Sequence, residues 1–201
     1  MKKILLITAD KCDDSEILYP YYRVIEAGFV PTIASFEKNT VNAKYHFSIM
    51  ADIAVEEIDT SEYDGLILPG GLAPEKLRQN RFVIEAVKSF EADGKPIAAI
   101  CHGQQILISA GILKNKNATC YPGIKDDLIN AGAENQPGQL LGQGLRSAGA
   151  EIGEINFGCH WNVPPEVFLL VYLIIYRKAS VTLAECEIVK RSRMRILLVL
   201  G

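Results

Sequence analysis

The 201-residue chain has no apolar stretch long enough to cross a bilayer: its longest, Val167 to Tyr176, runs about ten residues where roughly 20 are needed. It also lacks a basic stripe. Lysine and arginine are scattered until a final cluster, Lys190 to Arg195, and the net charge is −3, which excludes a surface built to neutralise a phosphate backbone, and with it nucleic acid as a partner. There is no Cys-x-x-Cys and no zinc-like Cys/His spacing, so no metal site is expected. Five cysteines, Cys12, Cys101, Cys120, Cys159 and Cys186, are an odd number at irregular spacing and read as thiols in a reducing compartment. The first apolar run, Ile4 to Ile7, stops at Thr8-Ala9-Asp10 and is too short for a signal-peptide core, so the expectation is a cytoplasmic protein that does not engage membranes. No repeat and no linker interrupts the chain before residue 134, and the length fits one domain.

What is present alternates. Lys3 to Thr8 reads as a central strand buried on both faces. Asp13, Asp14 and Ser15 then start a helix whose Ile17, Leu18, Tyr21, Val24 and Ile25 recur at helical spacing until Gly28, with Pro20 placed to bend it. Phe29 to Phe36 is the next strand, and Val41 to Val55 reads as a small antiparallel excursion. Leu66-Ile67-Leu68 is a buried strand ending in Pro69-Gly70-Gly71; Pro74 opens a short helical segment, and Phe82, Val83, Ala86, Val87 and Phe90 mark a longer helix ending at Gly94. Pro96 to Ile100 is a third buried strand, followed at once by Cys101-His102-Gly103 and a helix to Gly111. This order predicts an α/β flavodoxin-like fold, a doubly wound parallel sheet sandwiched by helices.

In such sheets ligands sit at the carboxyl ends of the strands, and Cys101 follows its strand directly. A sharp strand-to-helix turn presents a side chain outward, the following helix N-terminus favours thiolate over thiol, and His102 offers a base or cationic partner. Spacing alone leaves Cys101 open between a reactive thiol and a buried core cysteine. Gly70 and Gly71 end another strand, and their N–H groups can face a developing oxyanion. Glu16 lies within plausible reach of the sulfur, or is simply a helix-start carboxylate favoured by the dipole.

These residues carry a resemblance. Glu16-Ile17-Leu18-Tyr19-Pro20, Leu68-Pro69-Gly70-Gly71-Leu72-Ala73-Pro74-Glu75, Ile100-Cys101-His102-Gly103, Ile106 to Gly111 and Tyr121-Pro122-Gly123-Ile124-Lys125-Asp126-Asp127 resemble the PfpI family over residues 2–134. This is the intracellular-protease branch of the superfamily of the parkinsonism-associated deglycase and glyoxalase III, with a class I glutamine amidotransferase-like fold. The resemblance implies Cys101 as nucleophile and His102 as its adjacent histidine. It implies Glu75 as an acid reaching the histidine from a neighbouring subunit of a homo-oligomer, and Glu16 as the carboxyl that contacts the cysteine and tunes its oxidation. The oxyanion donors it implies are the N–H groups of Gly71 and His102.

It further implies turnover of a small reactive dicarbonyl or its protein adduct with no cofactor, metal or glutathione. Peptide-bond hydrolysis is the alternative, and a stress-sensing or chaperone role for an oxidisable Cys101 a further one. Two departures stand out. Gln104 replaces the proline usual after Cys-His-Gly, and residues 135–201 form a divergent C-terminal part, in which Cys159-His160 is a coincidental echo of the motif and Lys190 to Leu200 reads as a solvated turn before a last strand.

Overall fold

The computed structural model describes residues 1–135. Its core is a five-stranded, all-parallel sheet in the order β5-β2-β1-β6-β7. Strand β1 (Lys3–Ile7) is central, with Leu5, Leu6 and Ile7 sealed from solvent. It feeds α1 (Asp14–Glu26), where the Asp13 carboxylate caps the helix by accepting from the Ser15 N–H at 3.1 Å. Pro20 is accommodated inside α1 without ending it, and Gly28, at φ 76°, follows its end. Strand β2 (Val30–Ser35) returns beside β1, pairing Lys3 with Val30 through Ile7 with Ala34.

The excursion anticipated between residues 41 and 55 is only partly antiparallel. β3 (Thr40–Asn42) and β4 (Ser48–Met50) form a hairpin, but β5 (Ile53–Ala54) rejoins the main sheet in parallel beside β2. The Asp52 carboxylate accepts from the Ile33 N–H at 2.8 Å and steers the chain back.

Strand β6 (Gly65–Leu68), wholly buried, lies on the other side of β1. It is followed by α2 (Ala73–Leu77) and α3 (Arg81–Ala92), whose cap Asn80 accepts from the N–H groups of Phe82 and Val83 at 2.9 and 3.3 Å. Val83, Ala86, Val87 and Phe90 form the buried stripe of α3. Then come β7 (Ile97–Ala99), α4 (Gln104–Ala110), β8 (Asn117–Ala118), α5 (Lys125–Asn130) and β9 (Glu134–Asn135), the last pairing with β8. The sequence reading missed the β8–β9 ladder, because two residues per strand carry no periodicity.

The chain leaves β1 toward β2 on one side and later occupies β6 and β7 on the other. Right-handed crossovers in opposite directions put α1 and α3 on opposite faces, which is the doubly wound arrangement. The loops after β1 and β6 consequently diverge, and the crevice between them is where such sheets bind ligands. The readings made for Cys159-His160, Val167 to Tyr176 and Lys190 to Leu200 lie outside the described residues. Among the described residues no helix is long and apolar enough to cross a membrane.

Candidate active site

Cys101 occupies a backbone state that few non-glycine residues adopt. Ile100 is still extended, at φ −119° and ψ 140°, but Cys101 turns to φ 56° before a 3-10 turn, Cys101–Gly103, leads into α4. Such a left-handed residue costs about 1–3 kcal/mol and persists only where its surroundings hold it. Here the Ile100 N–H donates to the Leu68 carbonyl at 3.0 Å, the Gly103 N–H to the Ile100 carbonyl at 2.7 Å, and the Tyr121 N–H to the Cys101 carbonyl at 3.4 Å. Gly103 is required: a β-carbon there would stand 2.3 Å from the Leu68 carbonyl oxygen.

Glu16 comes to this turn from α1. One of its carboxyl oxygens, Oε2, accepts from the Gly70 N–H at 2.7 Å, and the carboxyl also hydrogen-bonds the Cys101 sulfur. Burial, reinforced by the charges of Cys101 and Asp13, pushes the carboxyl up to about 8, against the pull of the Gly70 N–H. At neutral pH Glu16 therefore holds its proton and can donate to the sulfur. Gly70 is locked between the two, since a β-carbon would lie 2.5 Å from Glu16 Oε2 and 2.7 Å from Cys101 Cβ.

His102 Nδ1 lies 3.3 Å from the Cys101 sulfur. The ring stacks on Tyr121 with centroids 4.5 Å apart and planes at 28°. Burial lowers the imidazole below its ordinary value; Glu75 opposes that shift and Lys44 adds to it. Glu75 stands exposed in the first turn of α2, and its charge works to raise the imidazole of His102.

The two glycines part company. The Gly70 N–H is occupied by Glu16, so it is not available as the oxyanion donor anticipated from the strand end. The Gly71 N–H has no partner among the described residues. His102 is the second residue of its turn, where no intrahelical carbonyl reaches the N–H.

Sequence reasoning missed three neighbours. Lys44, at the tip of the β3–β4 hairpin, is exposed and electrostatically coupled to both Cys101 and His102. Its backbone N–H donates to the Cys12 carbonyl at 2.9 Å, and the tip is tied down by the Asp14 carboxylate, which accepts from the N–H groups of Tyr45 and Phe47 at 2.7 and 2.9 Å. Tyr121 stacks on the histidine, and Cys120 stands beside it with its thiol pushed up to about 11 by burial and by the charges of Asp127 and Cys101. The quoted Tyr-Pro-Gly motif was the only signal for the last two. Cys12 is sealed in the core, its thiol raised by burial, and reads as structural. Among the described residues no group of His, Cys, Asp and Glu is disposed to hold a metal ion.

Comparison with known proteins matches residues 2–138 to the DJ-1/PfpI family. The chain belongs to the DJ-1/PfpI family. Deglycase PfpI of Pyrococcus furiosus is 48% identical over 132 residues, which cover 66% of this chain and 80% of that protein. Putative cysteine protease YraA of Bacillus subtilis is 36% identical over 141 residues, covering 70% of this chain and 83% of the relative. A crystal structure of a two-domain protein from Anabaena variabilis, containing DJ-1/ThiJ/PfpI-like and ferritin-like domains, superposes with a TM-score of 0.69 at 33% identity, over 72% of this chain and 42% of that one. The DJ-1/PfpI match spans the same sheet, turn and loops that bring Glu16, Gly70, Gly71, Cys101 and His102 together, and it stops close to where the described residues end.

Proposed function

We propose that this chain is a cysteine-dependent enzyme of deglycase and glyoxalase III type, acting on reactive dicarbonyls or on their adducts with proteins. The observation that carries the reading is the split between two titratable groups on one sulfur. Glu16, held up to about 8, is an acid at neutral pH, whereas the lowered imidazole of His102 is free to accept a proton. Environments that push neighbouring groups apart in this way separate the acid and base roles. The name of the 48% identical relative, a deglycase, supports the same reading.

With methylglyoxal, the Cys101 sulfur adds to the aldehyde carbon and the carbonyl electron pair moves to oxygen, which the N–H groups of Gly71 and His102 receive. Glu16 supplies a proton to that oxygen. His102 takes the proton from the former aldehyde carbon and returns it to the adjacent one through an enediolate, leaving a thioester on Cys101. Water hydrolyses the thioester to lactate and frees the thiol, so the net reaction consumes one water and needs no redox partner. We further propose a homo-oligomer in which Glu75 orients His102 across the interface; size-exclusion chromatography of wild type and Glu75→Ala tests it, and a monomeric wild type would remove it.

Lactate formation from methylglyoxal by the wild type and by Cys101→Ser tests the enzyme reading. The expected result is turnover by the wild type and a loss of at least ~1,000-fold in the variant. Equal rates would end the proposal. The 36% identical relative named as a putative cysteine protease favours a second reading in which the same thiol attacks a peptide bond. Cleavage of a fluorogenic peptide without lactate formation would replace the first reading by that one.

A further inference from the structure

We infer that Cys120 is a resolving cysteine for Cys101, forming a reversible intramolecular disulfide when the site meets a peroxide. This rests on the reading of Cys101 as the reactive thiol. The geometry begins with one hydrogen bond, from the Tyr121 N–H to the Cys101 carbonyl at 3.4 Å. That bond fastens the Cys120–Tyr121 peptide unit against Cys101. Standard backbone dimensions then keep the two cysteine Cα atoms within about 8 Å of each other, a span that includes the roughly 4.4–6.8 Å across which a disulfide bridges Cα atoms. The stack of His102 on Tyr121 fixes the same two segments a second time, from the neighbouring residue of each. Both cysteines are half-buried rather than sealed, whereas Cys12 is completely buried.

Electrostatics supplies the order of events. Burial, the carboxylate of Asp127 and the charge on Cys101 keep the Cys120 thiol protonated, so it is a poor first target for an oxidant. The Cys101 sulfur attacks the peroxide O–O bond, gains one oxygen as a sulfenic acid and releases water or an alcohol. The sulfur loses two electrons and the O–O bond accepts them. Sulfenic acid is uncharged, so the contribution of Cys101 to holding Cys120 protonated disappears at the moment a second nucleophile is needed. The Cys120 sulfur then attacks the sulfenic sulfur, the S–O bond breaks, the hydroxyl leaves as water with the thiol proton, and an S–S bond joins residues 101 and 120. The product cannot add to a carbonyl, and it shields Cys101 from the irreversible sulfinic and sulfonic steps.

The test uses the full chain. Reduced protein is treated with a small excess of hydrogen peroxide, capped with iodoacetamide, digested without reduction and read by mass spectrometry. The expected product is the Cys101 peptide joined to the Cys120 peptide at about 2 Da below their sum, reversed by dithiothreitol with return of Cys101 alkylation. In Cys120→Ser, and in Cys120→Ala as a second variant, the link is absent and Cys101 accumulates as sulfinic and sulfonic acid that dithiothreitol does not recover. Oxidised Cys101 beside an alkylated Cys120 in the wild type, or a link to Cys12, Cys159 or Cys186 instead, overturns the inference. A parallel alkylation of untreated protein separates the two readings. If Cys101 alkylates rapidly yet never links to Cys120, only the resolving role falls; if it reacts with neither reagent, the reactive-thiol reading falls with it.

Discussion

The first turn of α1 faces two regions of the molecule, the hairpin tip and the crevice, and presents a carboxyl group to each. On the hairpin side, burial alone works to raise Asp14, but backbone N–H groups, led by those of Phe47 and Tyr45 and joined by those of Asp14 and Lys44, together outweigh it and hold the carboxylate below its ordinary value. On the crevice side, burial raises Glu16 to about 8, and the single N–H of Gly70 does not offset it. Two residues of sequence separate a charged loop anchor from a protonated group on a sulfur. The difference lies in how many donors each region supplies and how far it excludes water, not in residue type or helix position.

The strongest way to break this contrast is to fill the gap that joins Glu16 to Cys101. Gly70→Ala places a β-carbon where Glu16 Oε2 and Cys101 Cβ stand 2.5 and 2.7 Å away, and the displaced sulfur should lose about 100-fold in methylglyoxal turnover. The hairpin side should keep its structure, measured by unchanged amide exchange at Tyr45 and Phe47.

Glu16→Gln sharpens the contrast through pH. The carboxyl has an ordinary value of 4.5 and about 8 in the folded chain, so between those values the folded state holds a proton that the unfolded state has released. Stability therefore falls as pH rises across that window, by roughly 4–5 kcal/mol if the full shift is expressed. Denaturant melts should show that the glutamine variant has lost the Glu16 contribution, so that its stability relative to wild type climbs steadily from pH 5 to pH 8, against a background in which the lowered His102 favours the folded state as pH rises toward 6.5 in both proteins. A difference between the two with no slope in that window would sink the protonated-acid assignment.

The smallest effect belongs to the hairpin. Asp14→Ala removes an acceptor shared by two backbone donors and should cost about 1 kcal/mol near neutrality. Because the carboxylate is held below its ordinary 3.8, this stability is present above that value and is lost as pH falls through the lowered one. The gap between wild type and variant should accordingly close in acid, measured by thermal melts at pH 7 and pH 2.5.

Four of the five strands of the main sheet were legible because each is a short apolar run between turn residues, and α1 and α3 because their apolar residues recur at helical spacing, whereas the six-residue α5 was not read at all. Cys101 was legible for a local reason, the absence of any residue between strand and turn. Its left-handed φ was not, because nothing in Ile100-Cys101-His102 demands it; the demand comes from Leu68 and Tyr121, far away in the chain. Lys44 was invisible as a site residue for the same reason, and Cys120 was marked only by the motif that begins at the next residue. The occupied Gly70 N–H was equally hidden, since a glycine pair at a strand end does not reveal which of its donors already has a partner. The return of β5 to the main sheet depended on Asp52 reaching Ile33, a contact with no periodic signature.

The left-handed turn at Cys101 is held by hydrogen bonds arriving from β6 and from the segment just after β8, and its carboxyl neighbour arrives from α1. These pieces are distant in the chain, and contacts between distant pieces are the slowest to form during folding. A chain that has collapsed but not yet docked those segments has no reason to keep residue 101 in its costly conformation. The alkylation rate of this one sulfur is therefore a clock for refolding: it should rise only in the last kinetic phase, after the helical signal has already recovered.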